Sequence, residues 1–226
     1  MSLSLSRCLL AEALGTALLL AFGTGAAVVD EQTHALGHGG VAAAFGLVVF
    51  VLIQSLGPTS GAHVNPAVTV GFWAAGRFAG RRVLPYVAAQ VAGALLGSGL
   101  VKLLATDSST LGATLPALGA GAALGLETAL TFWLMLVILR VTAGAREQGL
   151  LAGLAISATV ALEALVAGPL TGASMNPARS LAPALLSGHL AGLWLYVAGP
   201  VAGALLAVLT DRLFPIHSTS VTLPEA

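Results

Sequence analysis

The stretch GPLTGASMNPARS at residues 168–180 repeats an earlier one, GPTSGAHVNPA at residues 57–67, and both contain Asn-Pro-Ala. Aligned without a gap, they match at seven of eleven positions. Asn is a favoured N-cap and Pro suits the first helical position, so the motifs predict helices that begin at Pro66 and Pro177. Glycine returns about eleven residues later, which limits each helix to about 16 Å, half of a ~30 Å hydrocarbon core. Two such half-helices span a membrane only if they meet end to end.

The composition is that of an integral membrane protein. Of 226 residues, 57% are hydrophobic and 8% charged, and the mean hydropathy is +0.96, which is more apolar than a soluble domain of this size. The net charge of zero gives no reason to expect nucleic acid as a partner. The single cysteine, Cys8, excludes an intramolecular disulfide and a cysteine metal site, and we expect it to be packed or lipid-facing. The first apolar segment resembles a signal peptide, but Glu12 inside it favours a retained span.

Apolar segments predict an all-α protein that crosses the bilayer six times. The second segment is slightly short for a span, and the others are long enough. The polar joints are too short for a soluble domain, so residues 1–226 are predicted to form a single membrane domain that ends in a short cytoplasmic tail at 215–226. The six segments are residues 8–29, 40–56, 83–105, 117–141, 150–168 and 191–213.

Positive charge is distributed unevenly between the loops. If the six segments alternate and the half-helices dip back, seven of the nine Lys and Arg residues lie on one side. By the positive-inside rule, both termini are predicted to be cytoplasmic, with the protein in the plasma (inner) membrane of the cell. The exceptions are Lys102, at the opposite end of a span, and Arg179, beside the second Asn-Pro-Ala. The seven are Arg7, Arg77, Arg81, Arg82, Arg140, Arg146 and Arg212.

The chain is an internal duplication. YVAAQVAGALL at residues 86–96 and YVAGPVAGALL at 196–206 are identical at nine of eleven positions with an offset of 110, and the two Asn-Pro-Ala motifs lie 111 apart. We place the repeats at residues 1–106 and 115–214, each with three spans and one half-helix. Because three is odd, the second copy is inverted in the membrane, an arrangement that forms a site from interrupted helices at the repeat interface.

The two half-helices are predicted to point their N-termini, at Asn65 and Asn176, toward one point near the midplane. Helix dipoles place partial positive charge there, and the Asn amides offer hydrogen-bond donors. Non-helical backbone at membrane depth is tolerated only along a water-filled cavity, so the carbonyls before each Asn are predicted acceptors. Such a centre favours water and small hydroxyl compounds and repels cations and protons. The predicted acceptors are the carbonyls of Gly61, Ala62, His63, Gly172 and Ser174, within loops 60–64 and 171–175.

Arg179, Glu12 and Glu127 are predicted to lie at membrane depth. Arg179, three residues into the second half-helix, is expected to line a pore rather than to form a structural ion pair, since a charge there needs water or a partner. Glu12 and Glu127 occupy matching places 115 residues apart and are expected to accept hydrogen bonds from the loop N–H groups. A proton relay is the alternative role for these two. Glu163 has no matching acid in the first repeat, and the sequence assigns it no role.

The sequence predicts no metal site and no cofactor. His34 and His38 lie four residues apart in a polar loop, but a metal site needs a third ligand. His63 lies within the first pore loop and is expected either to line the pore or to brace the loop.

With these motifs the chain resembles the aquaporin, or major intrinsic protein, family. AEALGTALLLAFGTGAAV at 11–28, SGAHVNPAVT at 60–69 and TGASMNPARS at 171–180 occur in the order of the family. The resemblance implies an aquaporin-like fold and a homotetramer in the lipid bilayer with one pore per subunit. It implies an outer constriction formed by Phe45, Ala164, Ala173 and Arg179. It also implies a pore centred on the paired motifs, which are Asn65, Pro66, Ala67, Asn176, Pro177 and Ala178.

The sequence departs from two branches of that family. Strict water channels have His where this chain has Ala164, and glycerol facilitators have Asp where it has Ser180. The second motif is most similar to nodulin-like plant channels and their bacterial relatives, which pass water and small neutral solutes such as glycerol or metalloid acids. The resemblance therefore implies a passive channel for such solutes that excludes ions and protons.

Four other functions are alternatives to a passive solute channel. A water-selective channel is the nearest alternative. A secondary transporter also uses inverted repeats and broken helices, but it should have acids that face the substrate site. A closed-pore adhesion protein is disfavoured by Arg179 and by the short loops. An enzyme is least expected, because the sequence has no nucleophile–base pair or metal cluster at the pore residues.

Overall fold

The structure, a computed structural model, describes residues 4–143 and 146–214, with backbone alone at 146–150. The helices are α1 Leu5–Leu19, α2 Gly25–Thr33, α3 Gly37–Ser60, α4 Pro66–Ala74, α5 Val83–Leu104, α6 Ala120–Val141, α7 Arg146–Thr171, α8 Pro177–Ser187 and α9 Leu195–Leu213. A π-helical turn at Leu20–Thr24 joins α1 to α2, and a 3₁₀ turn at Gly80–Arg82 leads into α5. Over this part of the chain there is no strand. The predicted tail at 215–226 lies outside the described residues.

Six helical stretches of the described chain are long and apolar enough to cross a membrane. The first is 29 residues from Leu5 to Thr33, formed by α1, the π-helical turn and α2. The others are formed by α3, by α5 with the turn before it, by α6, by the part of α7 from Leu151 to Thr171, and by α9. The two remaining helices, α4 and α8, have nine and eleven residues, which is too short to span. The predicted all-α fold of six spans and two half-helices is confirmed.

Two spans extend past a proline that follows their predicted ends. α3 continues to Ser60 and α7 to Thr171, although each contains a proline two residues before its end. The predicted spans ended at residues 56 and 168, and residues 60 and 171 were predicted to belong to the pore loops. A proline lacks an N–H, so only the carbonyl four residues earlier loses its helical hydrogen bond. Near a helix end that carbonyl can accept from another donor. The pore loops are accordingly residues 61–64 and 172–175.

Glycine lets the helices of each repeat approach closely. A Cβ atom at Gly93 of α5 would overlap the Ala13 carbonyl oxygen of α1, and one at Gly203 of α9 would overlap the Thr128 carbonyl oxygen of α6. Only glycine fits at these two crossings, as is common where membrane helices pack through small residues. Because Gly93 and Gly203 match in the repeated segment, the duplication brings the same packing contact into both halves.

Each half-helix packs against the last span of the other repeat, α4 against α9 and α8 against α5. Basic side chains on those spans donate hydrogen bonds to backbone carbonyls at the C-terminal ends of the half-helices. Arg212 Nη2 donates to the Ala74 oxygen at 2.6 Å, and Lys102 Nζ donates to the Leu186 oxygen at 2.7 Å. The helix dipole makes these C-terminal ends partly negative. Lys102, an exception to the charge distribution, therefore lies where it stabilises the end of α8.

Candidate functional site

The two Asn-Pro-Ala motifs begin α4 and α8. Asn65 precedes α4, and its Oδ1 accepts the N–H of Ala67 at 2.9 Å. Asn176 precedes α8, and its Oδ1 accepts the N–H groups of Ala178 at 3.0 Å and Arg179 at 3.3 Å. The side-chain oxygens thus satisfy N–H groups that a helix start leaves free, and the proline at the first position has none to satisfy.

The side-chain nitrogens of the same two residues join the half-helices. Asn65 Nδ2 donates to the Met175 carbonyl at 2.8 Å, and Asn176 Nδ2 donates to the Val64 carbonyl at 2.9 Å. Each NH₂ group has two hydrogens, so one N–H of each residue remains for a solute. The crossed pair holds the two N-terminal ends, with their partial positive charges, on either side of one point.

The N–H groups of the first pore loop are bound by Glu12 of α1. Its Oε1 accepts from the Ser60 hydroxyl at 2.7 Å and the His63 N–H at 2.9 Å. Its Oε2 accepts from the Val64 N–H and from Gln90 Nε2, both at 2.8 Å. All four partners donate to a side chain with no exposed surface, so these loop N–H groups are not available to a solute.

Glu127 of α6 makes the corresponding contacts to the second pore loop. Its Oε1 accepts from the Thr171 hydroxyl at 2.7 Å and the Ser174 N–H at 3.0 Å, and its Oε2 accepts from the Met175 N–H at 2.9 Å. The fourth donor is missing, because Pro200 occupies the place of the glutamine in the repeat. The second carboxylate therefore has three donors where the first has four.

In the described chain, the carbonyl groups of the pore loops, unlike the N–H groups, are mostly free of protein partners. Ala62 and Ala173 have φ of 46° and 42°, a left-handed conformation that costs a residue with a Cβ about 1–2 kcal/mol. The bonds from the loops to the two glutamates maintain this backbone. Among the described residues, three carbonyls of each loop accept no hydrogen bond from the protein, so they can serve water or a solute. They belong to Gly61, Ala62, His63, Gly172, Ala173 and Ser174, which adds Ala173 to the five predicted.

Two cavities meet at a ring of four residues. The first, the pore cavity, has a volume of about 130 Å³ and is lined by both Asn65 and Asn176. The second, the vestibule, has a volume of about 440 Å³ and is lined by Glu31, Gly112 and Gly168 among others. Four residues line both cavities and mark the junction, here called the constriction: Phe45, Ala164, Ala173 and Arg179. These are the four positions that the resemblance assigned to a constriction.

The Arg179 guanidinium is fixed at the constriction without an acidic partner. Its Nη1 donates to the Gly112 carbonyl at 2.7 Å, and its Cζ lies 4.9 Å from the centre of the Phe45 ring. That ring packs on the π-helical turn, where a Cβ atom at Gly23 would lie 2.5 Å from the ring carbon Cε1. Within the described chain no carboxylate oxygen lies within 4.0 Å of Arg179, so its positive charge is not neutralised by an ion pair.

His63 has contacts of both kinds that the sequence left open. It lines the pore cavity, and its Nδ1 lies 3.1 Å from Thr69 Oγ1. Its ring stacks on Phe72 with 4.7 Å between centroids, and the rings of Phe78 and Tyr86 lie 4.9 and 5.3 Å away. One face of the first loop is thus supported by an aromatic cluster.

Three side chains that support the pore loops were not predicted from the sequence. Tyr86 Oη donates to the Ser60 carbonyl at 3.0 Å, and Tyr196 Oη donates to the Thr171 carbonyl at 2.6 Å. Gln90, with no exposed surface, donates to the first glutamate. All three lie in the repeated segment that begins with Tyr, and the identity of that Tyr in both copies was the available signal.

Three further residues that the sequence singled out, Cys8, Glu163 and His38, make no bond to the pore loops in the described structure. Cys8 is 4% exposed, and its Sγ donates to the Thr59 carbonyl at 3.3 Å, so it is packed. Glu163 is 3% exposed, and neither of its carboxylate oxygens has a partner in the described structure. His38 lines the vestibule. In the described part of the chain no group of three or more His, Cys, Asp or Glu could hold a metal ion.

A cavity between two crossed half-helices, joined to a vestibule through a four-residue constriction, defines a membrane channel built from inverted repeats. The family comparison agrees with this class. The chain belongs to the major intrinsic protein family, whose model matches residues 1–210. It is therefore a multi-pass membrane channel and not an enzyme.

Similar proteins are plant aquaporins and a solved aquaglyceroporin. Aquaporin NIP1-2 of Oryza sativa subsp. japonica is 45% identical over 203 residues, which cover 86% of this chain and 67% of that protein. Aquaporin NIP6-1 of Arabidopsis thaliana is 40% identical over 225 residues, covering 99% of this chain and 72% of that protein. The X-ray structure of the aquaglyceroporin from Plasmodium falciparum superimposes with a TM-score of 0.84 at 26% identity, covering 92% of this chain and 96% of that one.

Proposed function

We propose that this chain is a passive channel that lets water and small uncharged solutes, such as glycerol or metalloid acids, cross the membrane while it excludes ions and protons. The observation that carries the proposal is the composition of the constriction. Arg179 and the Phe45 ring form one part of its wall, and the methyl groups of Ala164 and Ala173 form another. A solute with hydroxyl groups on one edge and an apolar body suits a wall with donors on one side and carbon on the others.

Exclusion of cations follows from the charges around the pore. The two half-helix N-termini and Arg179 are positive, and the carboxylates of Glu12 and Glu127 accept hydrogen bonds from the loops. Proton conduction is opposed by the single free N–H on each of Asn65 and Asn176. A water molecule that accepts from both must direct its own hydrogens away from that point on both sides, which interrupts a hydrogen-bonded chain of waters.

A secondary transporter is the main competitor from another class. Ion coupling would require an ionisable group that is free to bind the ion at the solute site. Of the described residues that line the pore cavity, none is Asp or Glu. Glu12 and Glu127 instead bind the loops from the side away from that cavity, which favours a channel.

Three further features belong to the proposal. We propose a homotetramer in the plasma (inner) membrane, with both termini in the cytoplasm. The excess of Arg on one set of loops supports the orientation, and the family resemblance supports the tetramer. The division into repeats at 1–106 and 115–214 is supported by the repeated segments and motifs.

The first test is stopped-flow light scattering on proteoliposomes of the purified protein. An impermeant osmolyte measures water efflux, and inward gradients of glycerol and boric acid measure solute entry as re-swelling. We expect fast shrinkage with a low activation energy, followed by fast re-swelling with the solutes. Fast water flux without solute flux would reduce the proposal to a water-selective channel, and saturable, ion-dependent flux would favour the carrier.

Two tryptophan variants in one turn of α7 connect the flux to this pore. Ala164→Trp places a large ring in the constriction, and we expect it to abolish water and solute flux. Leu162→Trp changes a side chain on the outer surface of the bundle, 47% exposed, and should leave both fluxes unchanged. Equal flux in the two variants would mean that the solutes cross elsewhere, and the proposal would be wrong.

A further inference from the structure

A proline interrupts the hydrogen bonding of α7 beside the constriction. Pro169 has no N–H, so the carbonyl four residues earlier, that of Leu165, loses its helical donor. Leu165 directly follows Ala164 of the constriction. A side chain from a neighbouring helix is one way to satisfy such a carbonyl near a helix end.

His38, the second residue of α3, makes that bond. Its Nε2 lies 2.6 Å from the Leu165 carbonyl oxygen. A carbonyl oxygen only accepts, so the hydrogen is on Nε2. Gly168 leaves space for the imidazole, because a Cβ atom there would lie 2.7 Å from His38 Cε1. Gly168 therefore leaves room for the His38 ring, and Pro169 leaves the carbonyl that the ring bonds.

We propose that His38 is a positioning residue for the constriction, because it replaces the helical hydrogen bond that Pro169 removes and thereby fixes the start of α3 against α7. α3 carries Phe45, seven residues after the histidine, and α7 carries Ala164, one residue before the bonded carbonyl. The separation of the two helices at this level sets the width between those two walls. The inference rests on the proposed function, since the width has an effect only if solutes pass there.

Among the described residues, the first repeat shows no equivalent of this bond. α3 contains its own proline, Pro58, which leaves the Gln54 carbonyl without its helical donor. The residue that matches His38, 111 positions later, is Gly149, which has no side chain. A proline near the end of a span is thus tolerated without a matching histidine, and the bond occurs on the helix that carries Ala164.

The test compares glycerol and water permeability of His38→Leu and His38→Gln in proteoliposomes. Leu fills space but donates no hydrogen bond, so α7 can move away from α3. We expect the ratio of glycerol to water permeability to rise by about two- to tenfold, the range of one net hydrogen bond. Gln keeps an N–H donor and should hold the ratio near that of the wild type. If Gln changed the ratio as much as Leu, the bond would not be the cause and the proposal would fail.

Pro169→Ala makes the test sharper, because it restores a helical N–H to the Leu165 carbonyl. In that background His38→Leu should no longer change the ratio, so the double variant should match Pro169→Ala alone. Pro58→Ala is the matched control: it restores an N–H in α3 and should leave the effect of His38→Leu intact. If the double variant differed from Pro169→Ala in this ratio as much as His38→Leu differs from the wild type, the proposal would be overturned.

Thermal unfolding of the same set separates this inference from the proposed function. Non-additive changes in Tm for His38→Leu and Pro169→Ala would establish the bond whether or not the channel conducts glycerol. Additive changes would overturn it. Non-additive Tm changes with an unchanged permeability ratio would overturn the positioning role alone. A wild-type protein that passes no glycerol would overturn both the proposed solute function and the positioning role. The Tm values alone would then decide whether the bond between His38 and Leu165 exists.

Discussion

Replacing Glu127 by Gln tests whether a buried carboxylate holds the second pore loop in place. The side chain has no exposed surface and accepts three hydrogen bonds, from Thr171, Ser174 and Met175. Gln has the same shape and keeps one acceptor oxygen for the first two donors. Its NH₂ group then faces the Met175 N–H, so two donors are opposed where one bond existed.

The cost follows from those contacts. Loss of a hydrogen bond to a charged acceptor removes about 1.5–3 kcal/mol, and a buried N–H left unpaired costs about 1–3 kcal/mol. The two sum to about 2.5–6 kcal/mol of the free energy of unfolding. For a chain of this length 1 kcal/mol corresponds to roughly 2–4 °C, so Glu127→Gln should lower Tm by at least about 5 °C. Water permeability should fall as well, because the loop with its left-handed Ala173 loses an anchor.

The assay is thermal unfolding of the purified protein in detergent, followed by water permeability in proteoliposomes. Glu163→Gln is the matched control, since it makes the same change in another buried acid, whose oxygens have no partner among the described residues. Tm should fall in the first variant and not in the second. Equal changes in the two variants, or an unchanged Tm for Glu127→Gln, would refute the assignment of Glu127 as an anchor of the loop.

Three other substitutions have defined outcomes. Ala164→His should lower glycerol and boric acid permeability by about tenfold or more, a barrier higher by about 1.4 kcal/mol, while it spares water; Leu162→His, on the outer surface, should not. Unchanged solute flux would mean that Ala164 does not face the constriction. Lys102→Met removes the bond to the end of α8 and should lower Tm by about 1–4 °C, with the loss reduced in high salt. Glu163→Leu introduces the residue found at the matching Leu52 and should raise Tm, because it removes a buried polar group without a partner; a lower Tm would reveal a bond that this structure does not contain.

The fold was predictable from the sequence because its signals are local and repeated. An N-cap followed by Pro, and apolar runs about one bilayer long, identify half-helices and spans without any knowledge of tertiary contacts. The ends of the spans were less predictable. Gly57 and Pro58 look like a break, yet α3 continues to Ser60, since one missing N–H does not outweigh the helical bonds on either side.

Of the side-chain contacts that position the pore, the sequence predicted those of the two Asn caps and the two glutamates. Glu12 and Glu127 are conspicuous because an acid in an apolar segment needs a partner. Gln90, Gly112 and His38 give no such signal, and they lie 78, 67 and 127 residues from the partners they bond. Hydrophobic periodicity identifies which face of a helix is buried, but it does not specify which polar group on another helix will meet it.

Two residues of the constriction, Phe45 and Arg179, differ in chemistry from their counterparts in the other repeat. Each of its four residues has a counterpart 111 positions away in the other repeat, and all four counterparts line the pore cavity: Ile53, Ala62, Val68 and Ile156. Their side chains offer neither a hydrogen bond nor a charge, so the polar partners for a solute there come from other groups that line the cavity, such as His63 and the backbone carbonyls of the loop. The symmetric half-helices therefore explain a preference for neutral solutes at the centre of the pore. We therefore place the proposed discrimination among those solutes at the constriction, where Arg179 and Phe45 replace valine and isoleucine.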